Sequence, residues 1–329
     1  MRKILVTAVA LAIILAAPRA GFAQTRPTLS PEELHIYNQA RTVIDWTPEE
    51  IRDQKELEGL RPAESQDDLP LILQQVGERV LAFINNFRNA TATETLKWEA
   101  DGPSSHSEST AAFRYIVVMK TTGPWPKLVE YRTDPQGHEI NLGEVKVGPF
   151  LTSGFALALL YFYPDNQDSC LYRYFGRQKV DDQETDVVGF AEIPEQNLGL
   201  ATLDNGAQKI LLLLQGLAWI DAQSHEILRL QTNLVSPPLH THLVKESTLI
   251  EYARMHFPET TSAFFLPKKV EVDVWQSTLA WTTGVATSTA RGNYPGAASG
   301  EAKTHFRNIY TYSDYKLFRV ESHILTAPP

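Results

Sequence analysis

The stretch "GLAWIDAQSHEILRLQTN" (residues 216–233) decides the fold. It follows the apolar run "KILLLLQ" and reads as a strand, a tip and a returning strand, with Ala222, Gln223 and Ser224 at the tip. The competing reading is a catalytic loop carrying Asp221, His225 and Glu226. On a strand Trp219 and Asp221 share one face and Ile220 takes the other, while His225 and Glu226, as neighbours on the return, point apart. No acid–base unit forms with Asp221, so the residues favour a hairpin.

Working outward, the same period of two runs from about residue 94 to the end. "AAFRYIVVMK" (111–120), "KLVEYRTD" (127–134), "CLYRYFGR" (170–177), "TDVVGFAEI" (185–193) and "QKILLLLQGLAWID" (208–221) are β-branched and aromatic runs bounded by turn residues. "LHTHLVKESTLIEYARMHF", "KKVEVDVWQSTLAW" and "HFRNIYTYSDYKLFRVESHI" continue the pattern. Turn chemistry lies between them, in "DPQGHE" (134–139) and "LDNGAQ" (203–208). Short strands joined this way predict a mostly antiparallel sheet. The evenly apolar "GPFLTSGFALALLYFYP" (148–164) predicts a helix or wide apolar loop across the mouth of the sheet, and 284–304 reads as a small, polar loop. No fixed repeat appears, which excludes propellers and solenoids.

Before the strands the chain is helical. "SPEE" (30–33) and "TPEE" (47–50) each combine a hydroxyl N-cap, proline at the first helical position and glutamate three residues after the cap. They predict helices over about 32–45 and 48–58, the second ending at Gly59, then a linker at "LRPAESQDD". A third helix is expected from Leu69 to Phe87, where Ile72, Val76, Val80, Phe83 and Phe87 recur at helical spacing. Such a stripe must lie on something apolar.

The first residues, "MRKILVTAVALAIILAAPRAGFA", have the layout of a secretory signal peptide cleaved after Ala23. The apolar core is short of a membrane span, and no later stretch is long and apolar enough to be one. The expectation is export to the periplasm or beyond, with no transmembrane span after cleavage. The chain has 30 basic and 39 acidic residues, a formal charge of −9, and loss of Arg2, Lys3 and Arg19 with the leader takes it to about −12. A net acidic chain without a basic run is a poor partner for nucleic acid or anionic lipid surfaces. Its one cysteine, Cys170, forms no internal disulfide, so burial must hold the fold together.

No complete catalytic signature is present. His240 and His242 in "PLHTH" sit two apart, as strand ligands of zinc or copper do, but no third ligand stands at a recognised spacing. Solvent-facing histidines are the simpler account. "SDYK" (313–316) matches S-x-x-K only by chance, since a strand throws Ser313 and Lys316 to opposite faces. Cys170, ahead of apolar "LYRYF" and without a nearby histidine, reads as a buried structural thiol. Neither a cofactor nor a metal is expected.

At "LAWIDAQSHEILRLQTN" and "HFRNIYTYSDYKLFRVESHI" the chain resembles an uncharacterised group of exported proteins from soil bacteria and, more remotely, the outer-membrane lipoprotein carrier superfamily. The superfamily's tryptophan, isoleucine-aspartate, tip and returning arginine correspond to Trp219, Ile220, Asp221 and Arg229. The resemblance implies an α+β fold: a curved, mostly antiparallel half-open barrel whose apolar concave face is capped by helices. The expected organisation is a signal peptide (1–23), a helical arm and linker (24–69), and a helix-capped β domain (70–329).

An open curved sheet must cover its inner apolar residues with a helix or a ligand. Candidates for the inner wall are Tyr115, Tyr131, Tyr174, Phe190, Trp219 and Trp275. The function this favours is an exported, non-enzymatic protein that binds an apolar or amphiphilic molecule, lipid or acyl chain. The alternatives are an envelope interaction module docking through the N-terminal helices, and a hydrolase with dispersed carboxylates.

Overall fold

A computed structural model describes residues 29–87, 89–102, 106–120, 127–134, 136–138, 140, 157–204, 209–258, 260, 263–277 and 303–318. The leader, the first part of the 148–164 segment and the polar loop up to residue 302 lie outside the described residues.

Both proline-initiated helices form as their caps require. In α1 (Pro31–Gln39) the Ser30 hydroxyl accepts the Glu33 N–H at 3.2 Å, and the Glu33 carboxylate accepts the Ser30 N–H at 2.8 Å. α2 (Pro48–Arg52) repeats the box with Thr47 and Glu50 at 3.3 and 2.8 Å. Both are shorter than expected. Asp45 accepts the Thr42 N–H at 2.9 Å, so a new cap starts a 3-10 turn at Val43–Asp45 instead of prolonging α1. After α2 a second 3-10 turn, Lys55–Leu57, ends before Gly59, whose φ of +80° suits glycine. α3 spans Leu69–Asn86 and buries Ile72, Val76, Val80, Phe83 and Ile84.

The strands are β1 (Arg61–Pro62), β2 (Asn89–Asp101), β3 (His106–Lys120), β4 (Lys127–Thr133), β5 (Cys170–Val180), β6 (Gln183–Glu192), β7 (Ala201–Asp204), β8 (Lys209–Leu212), β9 (Leu214–Asp221), β10 (Ile227–Leu234), β11 (Leu243–Met255), β12 (Phe264–Ser277) and β13 (Lys303–Phe318). Among the described residues eleven form one sheet, ordered β1-β5-β6-β9-β10-β11-β12-β13-β2-β3-β4, and β7 pairs with β8 apart from it. The described pairings are all antiparallel. The expected single strand at 208–221 is broken at Leu213, which is fully buried beside Tyr37 and Val235.

The sheet is curved and does not close into a barrel. One face carries a cross-strand row of Ala218, Leu230, Ile250, Val270, Tyr310 and Leu96, each at most 1 % exposed. Strands from both ends of the order join α3 in that cluster, so this is the inner face. The 158–162 turn packs there too, with Tyr161 stacked on Phe190 at 4.8 Å.

The arm lies on the opposite face. Trp46, Ile51, Leu57 and Leu60 pack on Phe175, Val187, Leu217 and Trp219. Polar pins fix the contact: Arg173 donates to the carbonyls of Ile44 (3.0 Å) and Trp46 (2.6 Å), and Val43 N–H donates to Gln215 at 2.7 Å. Gln178 is the hub. Its amide donates to the Glu56 and Glu58 carbonyls at 3.0 and 2.8 Å and accepts the Trp219 indole N–H at 2.7 Å. Gln178→Ala leaves these groups unpaired and is expected to cost about 1–3 kcal/mol. Limited proteolysis should then cut the arm before the sheet; an unchanged cleavage pattern would show that the hub does not hold it.

Candidate functional site

The inner face is not uniformly apolar. Glu94 on β2 and Arg132 on β4 form a buried ion pair, 0 % and 4 % exposed, with Arg132 Nη2 at 2.8 Å from Glu94 Oε1. Tyr312 donates its hydroxyl to the same oxygen at 2.8 Å. The guanidinium lies 5.8 Å from the Tyr115 ring centroid and 5.4 Å from that of Tyr310, within cation–π range. The Tyr115 hydroxyl is buried and has no hydrogen-bond partner.

Two more carboxylates occupy inner positions of β6 and β11. Glu192 is 3 % exposed and accepts N–H groups from Leu214 (2.8 Å) and Leu198 (3.2 Å). Burial pushes it up to about 7, against the opposing pull of those amides and of Tyr161. The native state therefore holds a proton on Glu192 between the ordinary glutamate value and about 7, where the unfolded chain has released it. Stability from this group is full below that window and falls as pH rises through it. The melting temperature should drop from about pH 5 to about pH 7, and Glu192→Gln should remove part of that slope, the rest belonging to Glu246, which burial raises likewise. A variant that keeps the slope would assign it to another group.

Glu246 is enclosed by protein yet retains some accessible surface, and burial likewise pushes it up to about 7. The Thr248 hydroxyl donates to it. On the same face Trp98 and Phe306 also keep accessible surface, although Leu96, Val272 and Tyr310 around them are sealed.

The six aromatic residues expected to line the inner wall divide between the faces. Tyr115, Tyr174 and Phe190 belong to the inner cluster. Tyr131 pairs with Ile116, one residue out of phase with inner Tyr115 and Val117, and so faces outward. Trp219 lies under the arm, and Trp275 stacks on His305 at 4.5 Å beside outer charges such as the Asp273–His305 pair at 2.7 Å. Alternation tells which residues share a face, not which face is concave. Here aromatic residues serve both faces, and Trp219 does so because the arm covers the outside of β5, β6 and β9.

Glu94, Arg132, Glu192 and Glu246 were not singled out from the sequence. A signal was present for two of them. Glu94 has the parity of Ala90, Ala92 and Leu96, and Glu246 that of Ile250 and Tyr252, so each is an acid in an apolar phase.

The remaining candidates have structural placements. In the 216–233 hairpin the Asp221 carboxylate accepts the N–H groups of Gln223 (3.2 Å) and Ser224 (2.6 Å), and His225 sits at φ +59° closing the turn. Glu226 is pushed up by burial, with Arg79 and Arg254 drawing it back. Burial, then Glu192, pushes the Cys170 thiol up to about 12, which leaves it unreactive. His240 and His242 stand exposed before β11, and among the described residues no three His, Cys, Asp or Glu side chains stand together as a ligand set. Ser313 and Lys316 flank a bulge in β13. An open surface depression of about 300 Å³ beside the arm is lined by charged groups that include the Arg61–Glu184 pair. Among the described residues no helix is long and apolar enough to cross a membrane.

Fold and site together define an open antiparallel half-barrel with a helix on its inner face and an arm across its outer one. No family model and no curated protein matches the chain. Among solved structures it is similar to a DUF1329 family protein from Desulfovibrio piger, at 7 % identity and a TM-score of 0.38 over 76 % of this chain and 93 % of that one. It is also similar to a putative outer membrane lipoprotein-sorting protein domain from Vibrio parahaemolyticus, at 10 % identity and 0.33 over 74 % and 91 %. A third is a LolA superfamily protein from Nitrosomonas europaea, at 12 % identity and 0.31 over 77 % and 94 %. TM-scores of this size carry no argument about function, which rests on the chain's own side chains.

Proposed function

We propose that this chain is an exported, non-enzymatic protein that holds an apolar or amphiphilic molecule, lipid or acyl chain, against the inner face of its half-barrel. The observation that carries the reading is the accessible surface left on Trp98 and Phe306 on a face otherwise closed by α3 and the 158–162 turn. A curved sheet whose inner rings keep accessible surface gains about 25 cal/mol per Å² when a ligand buries that apolar area. Tyr115, Tyr174 and Phe190 belong to the wall in this reading, and Tyr131, Trp219 and Trp275 support it from behind. The leader-like first residues support export. Glu192 spends its oxygens on backbone amides, which argues against its acting as a hydrolase base. The arm turns its apolar residues to the sheet, which removes the face a docking helix would use.

The test is extraction of protein purified from its native envelope, followed by lipid mass spectrometry. One bound amphiphile per chain is expected; protein that is always empty and takes up no acyl probe would overturn the reading.

A further inference from the structure

We propose that the ribbon of β7 and β8 is a gate over the inner face, which turns about Gly199 and Leu213 and is held shut by α1 of the arm. This rests on the reading of the chain as an amphiphile binder and adds the way in for the ligand.

Register fixes what the ribbon covers. Ala201 pairs with Leu212 and Leu203 with Ile210, so these four side chains share one face, and Thr202 and Leu211 take the other. Leu198, Leu200, Ala201, Leu203 and Leu212 pack on the inner cluster, whereas Leu211 joins Tyr37 of α1. The ribbon therefore stands between the apolar interior and the arm. Leu198, Leu200 and Leu203 are only half-buried, so its edge already meets water.

The other covers are pinned in a way the ribbon is not. Gln167 donates to the carbonyls of Leu73 and Phe162 at 2.9 and 3.1 Å and so ties α3 to the 158–162 turn. The approach is close: a Cβ on Gly77 would stand 2.8 Å from the Gln167 amide nitrogen. Tyr172 donates to the Tyr161 carbonyl and fixes the same turn to β5. Among the described residues β7 and β8 pair only with each other. Gly199 has φ +64° in the first stem, and Leu213 interrupts the strand in the second. Such positions at the ends of elements are where hinges absorb a change of backbone angle.

The base of the ribbon is held independently of its free part. One oxygen of Glu192 accepts the Leu198 N–H at 3.2 Å and the other accepts the Leu214 N–H at 2.8 Å. Both amides lie just outside the hinge residues, so this carboxylate sets the axis and leaves the ribbon free to turn. The hold on the ribbon itself comes from the arm. Tyr37, 4 % exposed, packs on Leu211 and Leu213, and its neighbour Asn38 donates to Glu195 at 2.8 Å on the turn that leads into β7. A ribbon that swings away from the inner cluster must break the contact of Leu211 with Tyr37.

The test follows opening and passage separately, on the full purified chain. Hydrogen exchange read by mass spectrometry should be about tenfold faster in β7 and β8 than in β9 and β10. Tyr37→Ala from the arm and Leu211→Ala from the ribbon should each speed exchange in the ribbon about threefold and leave β10 unchanged. Together they should do little more than either alone, since both remove one contact. A ribbon that exchanges as slowly as β9 and β10, that ignores both variants, or that speeds up only with the whole sheet overturns the gate. Passage is read by stopped-flow fluorescence of cis-parinarate. Both variants should raise its entry and release rates by the same factor, about threefold, with Kd changed less than about twofold. Faster release with unchanged entry would make the ribbon part of the wall and overturn the gate. If neither variant folds, the exchange pattern of the native chain decides. Failure of the probe to bind overturns the binder reading, and exchange still decides whether the ribbon opens.

Discussion

Arg132→Met is expected to lower the stability of the fold by about 3–5 kcal/mol, because it leaves the Glu94 carboxylate buried without its counter-charge. Both members of the pair are nearly inaccessible, and Tyr312 supplies one further hydrogen bond to Glu94 that cannot neutralise it. Adding Glu94→Gln to the variant should restore more than half of the loss, since the uncompensated charge is then gone. Urea denaturation of the three chains measures both changes as shifts in midpoint at constant slope. A single-variant loss below about 1 kcal/mol would mean that the pair is wetter than its burial implies.

Gly216→Ala is expected to be worse, costing more than about 3 kcal/mol or preventing folding. A Cβ at this position would stand 1.8 Å from the Gln231 carbonyl oxygen and 3.1 Å from Phe190. The first contact is with backbone of the neighbouring strand, so no rotamer change relieves it and β9 and β10 must separate locally. Gly189→Ala provides the contrast. There the close atom is 2.4 Å away but belongs to the Phe175 ring, which can give way at the expense of its packing under the arm. Measured stabilities should rank native, Gly189→Ala, Gly216→Ala; the reverse order of the two variants would contradict the backbone argument.

The elements that depend on nearby residues were legible in the sequence. The two capping boxes, the apolar stripe of α3 and the 216–233 hairpin are local patterns, and each appears where expected, although the two capped helices end about six residues early. The antiparallel class followed from the period of two. What was not legible depends on the far side of the sheet. Trp219 and Ile220 alternate as expected, yet only the arm, packed against Leu217 and Trp219, decides that Ile220 is the inner one. The polar part of the inner face was hidden for a similar reason. In "ATATETLKWEA" Glu94 stands in the phase of Ala90, Ala92 and Leu96, but its burial is explained only by Arg132, which arrives with a strand two places along.

The position of β13 bears on how the chain assembles. It is the last described strand in sequence, yet it lies inside the sheet, between β12 and β2. Tyr312 reaches Glu94 across a sequence separation of 218 residues. Until β13 is in place, β2–β4 and β5–β12 have no strand pairing between them among the described residues. Folding must therefore wait for a late, long-range closure, a topology that gives slow folding and leaves two unpaired edges exposed in the nascent chain. A chain interrupted before residue 303 would be left as two unjoined sheets with the inner face open between them.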